Sequence, residues 1–173
     1  MQGWYMLTVV GTDRPGIVAR VTHALFEGGC DLGEASMMRL GGNFAVMLMV
    51  RCEGTARQLR DLVEPVTQPH GLTLHVDRIE GRLHRHVEPD VRVTVTSADR
   101  AGIVAQVTGA LAEAGFDILN LESDVAGTAE RPIYVMAIEG RALEGVPALE
   151  SALGIIRGQG IDATLTPLDT LIG

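Results

Sequence analysis

The chain has 173 residues, 46% of them hydrophobic and 21% charged, and a formal net charge of −8. This is an ordinary globular composition, and its acidity argues against direct binding to DNA or RNA, which needs a concentrated basic surface. No stretch approaches the roughly 18 consecutive apolar residues of a membrane span, and the N-terminus has no basic, apolar, small-residue signal pattern. With two cysteines only, a disulfide framework is not expected. Cys30 and Cys52 read as small apolar groups in a reducing cytoplasm.

Residues 4–10 alternate as a strand, with Tyr5, Leu7 and Val9 on one face. Gly11–Arg14 turns the chain. A helix is predicted over Pro15–Glu27, because Ile17, Val21, Ala24 and Leu25 recur at helical spacing and Gly28-Gly29 supplies a stop. Strands follow over Asp31–Leu40 and Phe44–Cys52, joined at Gly41-Gly42-Asn43. The second of these is apolar on both faces and so central in its sheet. A helix over Thr55–Gln68 carries Leu59, Leu62, Val63 and Val66, with Pro65 expected to kink or end its last turn. Leu72–Ile79 is a fourth strand. The polar, aperiodic stretch 81–90 reads as a linker between domains 1–80 and 91–173.

The order then repeats: strand Val91–Thr96, helix Ala101–Ala114, strands Ile118–Val125 and Pro132–Ile138 with a longer turn at Ala126–Arg131, helix Gly145–Gly158, strand Ile161–Thr166. At an offset of 86, Thr8–Leu32 and Thr94–Ile118 agree at 15 of 25 positions, so the chain is a tandem duplication. Each βαββαβ half is α+β, with a ferredoxin-like four-stranded antiparallel sheet and two helices on one face. Met6, Met47, Met49 and Met136 are expected on the other face. Halves of this size bury limited surface alone, so they are expected to pair, first within the chain and then as a homodimer.

The repeated core is Asp13-Arg14-Pro15-Gly16-Ile17-Val18, with Gly29-Cys30-Asp31-Leu32 after the helix. The second copy is Asp99-Arg100-Ala101-Gly102-Ile103-Val104, with Gly115-Phe116-Asp117-Ile118. This pattern resembles the ACT domain family. A chain of two such domains also resembles, by architecture, the glycine cleavage system transcriptional repressor group. The resemblance implies regulation by a small amino acid, glycine or a similar one, bound where two domains pack side by side. By motif position its contacts would be Gly11, Asp13, Gly16, Ile17 and Asp31, and Ser97, Asp99, Gly102, Ile103 and Asp117. Two departures stand out: Asp31 and Asp117 occupy positions often held by Asn, and Ala101 replaces the motif proline.

The residues support such a site independently. The first amides of a helix have no internal partners and attract a carboxylate. Gly16 and Gly102 leave its approach open, and a Val there is expected to block it at little cost to the helix. Asp13 or Asp31 could accept from an ammonium group. The plainer reading is that Asp13 caps the helix and Gly16 serves packing. His84 and His86 read as a solvated linker pair, so no metal is expected. No nucleophile–base pair or phosphate loop appears, so neither catalytic residues nor a cofactor are expected. The reading is a non-catalytic regulator acting through a protein partner such as a transcription factor. The alternatives are an interaction module with vestigial sites and, behind it, an enzyme on the same fold.

Overall fold

The computed structural model describes residues 2–80, 87–98 and 102–168. It divides into two compact units, Met1–Arg85 and His86–Gly173. The first contains β1 (Gln2–Thr12), α1 (Ile17–Glu27), β2 (Asp31–Leu40), β3 (Asn43–Glu53), α2 (Ala56–Thr67) and β4 (Thr73–Ile79). The second contains β5 (Val91–Ala98), α3 (Ile103–Glu113), β6 (Phe116–Thr128), β7 (Arg131–Ala142), α4 (Val146–Gly158) and β8 (Asp162–Pro167). The strand orders are β2-β3-β1-β4 and β6-β7-β5-β8, antiparallel throughout. Both halves are therefore ferredoxin-like.

Alternation along β1 and β3 aims Tyr5, Leu7, Val9, Phe44, Val46, Leu48 and Val50 at the helices, where they meet Ile17, Val21 and Leu25 of α1 and Leu59 and Val63 of α2. Gly28 lets the helices approach, since a Cβ there would collide with Leu62. α2 opens with a reciprocal capping box between Thr55 and Gln58. It runs through Pro65 and ends two residues later, giving way to a 3₁₀ turn over Gln68–His70.

Several expectations need correction. Met6, Met47 and Met49 do lie on the side away from the core, in register with one another and with Thr8. Met136 does not: it sits opposite Val95, and both are fully buried in the second core. The second hairpin turn is no longer than the first. Thr128 and Arg131 pair across Ala129-Glu130, so the extra residues lengthen the strands instead. Of the expected linker, 81–86 lie outside the described residues, while Asp90 is tied into the second sheet. Its N–H donates to the Gly140 carbonyl, its carboxylate accepts from the Ala142 N–H, and its carbonyl accepts from the Leu168 N–H.

The cysteines are the largest correction. Cys30 and Cys52 are buried as expected, but they are joined in a disulfide, with 4.7 Å between Cα atoms and 22 residues of sequence separation. Closing a loop of that length restricts the unfolded chain by about 3 kcal/mol. Urea unfolding of the first unit should therefore lose about 3 kcal/mol on reduction, or in a Cys30→Ala/Cys52→Ala variant. Identical midpoints for oxidised and reduced protein would contradict this.

Candidate functional site

Both repeated motifs end in the same backbone device. Gly16 and Gly102 are the N-cap residues of α1 and α3, each at φ 84°, ψ 0°. That left-handed conformation favours glycine, and it starts the helices at Ile17 and Ile103, two residues after the predicted starts. No side chain caps either helix. Asp13 is thus not a capping residue. Its N–H donates to the Gly42 carbonyl (3.1 Å) and its carboxylate pairs with Arg39 at 2.5 Å. The Ile17 N–H donates to the Arg14 carbonyl (3.4 Å), and the next amides of the first turn of α1 are left to an anion, beside a carboxylate and a guanidinium.

The remaining predicted residues differ in what they can contribute. Ile17 and Ile103 are buried in the cores, so only their backbone can meet a ligand. Gly11 is a packing position, because a Cβ there would lie 2.6 Å from Leu72 Cδ2. Ser97 is half-buried at the end of β5, opposite Tyr134. Asp99 lies outside the described residues, as do Arg100 and Ala101.

Asp31 and Asp117 stand apart from the loops. Asp31 pairs across the sheet with Arg51, which pairs with Trp4; Asp13 sits beyond Thr12, at the level of Asn43 and Gly42. Eight residues of β1 separate these levels, on the order of 27 Å. Asp117 occupies the matching place in the second half, opposite Arg141. Within one unit the fold does not bring Asp13 and Asp31 together.

Arg39 and Arg51 were missed from sequence. Arg51 donates twice to Asp31 Oδ2, at 2.7 and 3.3 Å, and its guanidinium lies 5.8 Å from the Trp4 ring centre. Folding the chain back at Gly41-Gly42 places Arg51 opposite Asp31 and returns Arg39 to Asp13. Counting back from the hairpin turn was the signal for Arg51; the approach of Arg39 to Asp13 depends on the pairing of β1 with β3. Between the two ends, β2 is exposed at every position but Gly33. Leu32, Met37, Met38 and Leu40 stand out as large exposed apolar side chains on this edge.

Among the described residues no cluster of His, Cys, Asp and Glu could hold a metal, and no helix is long and apolar enough to cross a membrane. His84 and His86 lie outside the described residues.

A βαββαβ unit whose first helix opens, uncapped, on a left-handed glycine belongs to the ferredoxin-like α+β class, here built twice. The chain belongs to the ACT domain family: two ACT domain models match it in tandem, at residues 5–77 and 91–154. ACT domains are regulatory, ligand-sensing modules. Among solved structures, a protein of unknown function from Galdieria sulphuraria is similar at 23% identity and TM-score 0.79, covering 98% of this chain and 100% of its own. A protein named as a candidate glycine cleavage system transcriptional repressor is similar at 20% identity and TM-score 0.73, covering 98% and 99%. At these identities the likenesses show the fold. No curated protein matches the chain significantly.

The glycines make opposite demands. At Gly16 or Gly102 nothing lies within 4 Å of an added Cβ, but φ is +84°. The expected tolerance of Val there is overturned by that conformation. Gly16→Ala and Gly102→Ala should each destabilise by about 1 kcal/mol. Gly109→Ala in α3 and Gly154→Ala in α4, with open space and ordinary helical backbone, should stabilise by about 0.5–1 kcal/mol. Chemical denaturation of the four variants checks both signs.

Proposed function

We propose that the protein senses a small amino acid, glycine or a similar zwitterion, at sites completed when the edges of two ACT domains pair. The observation that carries this reading is the separation of the site residues. In both halves an acidic residue opens an exposed edge strand, one strand length from the glycine-initiated helix of the same unit. Antiparallel pairing of β2 with the same strand of a second copy reverses this separation. It sets Asp31 of one protomer beside Asp13, Gly16 and Arg39 of its partner. There the ligand carboxylate is received by the helix amides and Arg39, and its ammonium by Asp13 and the incoming Asp31. The apolar residues of β2 are then covered by their counterparts, as an exposed edge requires.

In this reading the protein is a cytoplasmic, non-catalytic homodimer. Its acidity is consistent with acting on transcription through a protein partner such as a transcription factor, with no direct contact to nucleic acid. Glycine as the ligand rests on the resemblance of the tandem architecture to the glycine cleavage repressor group; the similar structure of that name shares the fold. One observation favours the alternative of an interaction module with vestigial sites: Asp13 and Asp31, the two candidate aspartates of the first unit, already have arginine partners.

Calorimetry and thermal shift against the common amino acids separate the two. Binding should be confined to small zwitterions, with stabilisation of about 2.7 kcal/mol at a hundredfold excess over Kd. Asp31→Asn should weaken the first site by about 1.5 kcal/mol, losing charge assistance while keeping an acceptor. No stabilisation by any amino acid would favour the interaction module.

A further inference from the structure

The disulfide lies where the proposed site is made. Cys30 directly precedes β2, Cys52 is the penultimate residue of β3, and their chain neighbours Asp31 and Arg51 form the adjoining ladder pair. On the core side the bond closes the end of the first core. On the other face Asp31, Arg51 and Trp4 form a row across three strands. The register of β2 breaks between Leu32 and Ala35, so only two ladder pairs, Asp31–Arg51 and Leu32–Val50, hold the strand's first residues on the near side of that bulge.

The second unit is an internal control. It repeats the bulge, between Ile118 and Asn120, and the Asp117–Arg141 pair. Where Cys30 and Cys52 would stand it has Phe116 opposite Ala142, with Phe116 buried. Packing closes the core end in one unit, and a cleavable bond closes it in the other.

We propose that Cys30–Cys52 is a reversible thiol–disulfide site that controls the presentation of Asp31, and hence amino-acid affinity at the first-unit site alone. Control of affinity rests on the reading given under Proposed function; control of Asp31 does not. The thiolate of a small thiol attacks one sulfur, and the S–S bond breaks to leave a mixed disulfide and one cysteine thiolate, which takes a proton. A second thiol attacks the mixed disulfide and releases the other cysteine. Two small thiols thus become one small disulfide, and two electrons and two protons end on Cys30 and Cys52. With the bond closed, the start of β2 is held in register and Asp31 faces outward on Arg51. With it open, that segment is held by two ladder pairs, the Asp31–Arg51 ion pair and the Cys30 N–H bond to the Leu25 carbonyl, and loses its covalent tie to β3.

Both cysteines are more than nine-tenths buried, so attack requires the strand start to open. By linkage, a ligand that holds Asp31 in place then protects the bond from reduction. Where the surroundings are reducing, disulfides are as a rule transient or redox-sensing, in contrast to the permanent staples of oxidising compartments.

The test uses the full chain, oxidised with a glutathione disulfide buffer or reduced with dithiothreitol, and a Cys30→Ser/Cys52→Ser variant as a locked reduced form. Trp4, the sole tryptophan, reports on Arg51 by fluorescence, and amide exchange reports on Asp31 and Leu32. Reduction should speed exchange by about tenfold or more at whichever of these two adjacent amides faces β3, change Trp4 emission, leave Asp117 and Ile118 unchanged, and weaken glycine binding at one of two sites. Glycine should slow the reduction. Two titratable thiols after oxidation, or unchanged exchange and emission on reduction, would overturn the proposal. Equal glycine affinity in both forms would overturn redox control of binding and leave the amino-acid reading intact. Redox-dependent exchange and emission with no amino-acid binding in either form would support the switch and remove the reading.

Discussion

An extended strand keeps its ends apart, and that rigidity governs everything proposed for this chain. The loop after β1 and the start of β2 are both natural places for ligand contacts, yet a βαββαβ unit must put them at opposite ends of its sheet. β1 ends where α1 begins, α1 carries the chain back, and β2 sets out from the far side. No side-chain motion spans a distance on the order of 27 Å. In the function proposed here each unit therefore offers two half-sites, and a second edge running the other way joins them.

The local features agree with that constraint. The left-handed glycines leave the first turns of α1 and α3 without a capping side chain, at the ends of the units where β2 and β6 finish. The edge strand between the half-sites is exposed and carries several large apolar side chains, against the usual practice of blunting an edge with charge. At the other end of β2, a buried disulfide and an Asp–Arg pair fix its first residues. The second unit repeats the bulge and the Asp–Arg ladder pair, with Phe116 opposite Ala142 in place of the cysteines.

Much of the fold was legible because most elements are bounded by glycine or proline and the whole series occurs twice; the β6–β7 turn, Ala129-Glu130, has neither, and it is the turn whose length is misread from the sequence. The repeat identified the family, and helical spacing found the buried stripe Ile17, Val21 and Leu25. Other features depend on quantities that a linear reading does not carry. The dihedral of Gly16 is invisible in the sequence, so its glycine looked like space for a ligand when it is first a backbone requirement. The face of Met136 depends on strand register, and Val95 opposite it decides the matter. The disulfide could have been inferred. Cys30 lies eleven residues before Gly41 and Cys52 ten after Gly42, a near-symmetric placement about a hairpin turn whose one-residue difference is the bulge in β2. The same count pairs Asp31 with Arg51.

The most direct measurement is amide exchange along β2 with and without a saturating amino acid. A site shared between two edges predicts that ligand protects the first amides of α1 together with the outward-facing amides of β2, since both belong to one assembled structure. Protection of the α1 amides alone, with β2 exchanging as a free edge, would show that a single domain binds the ligand unaided and would contradict the account.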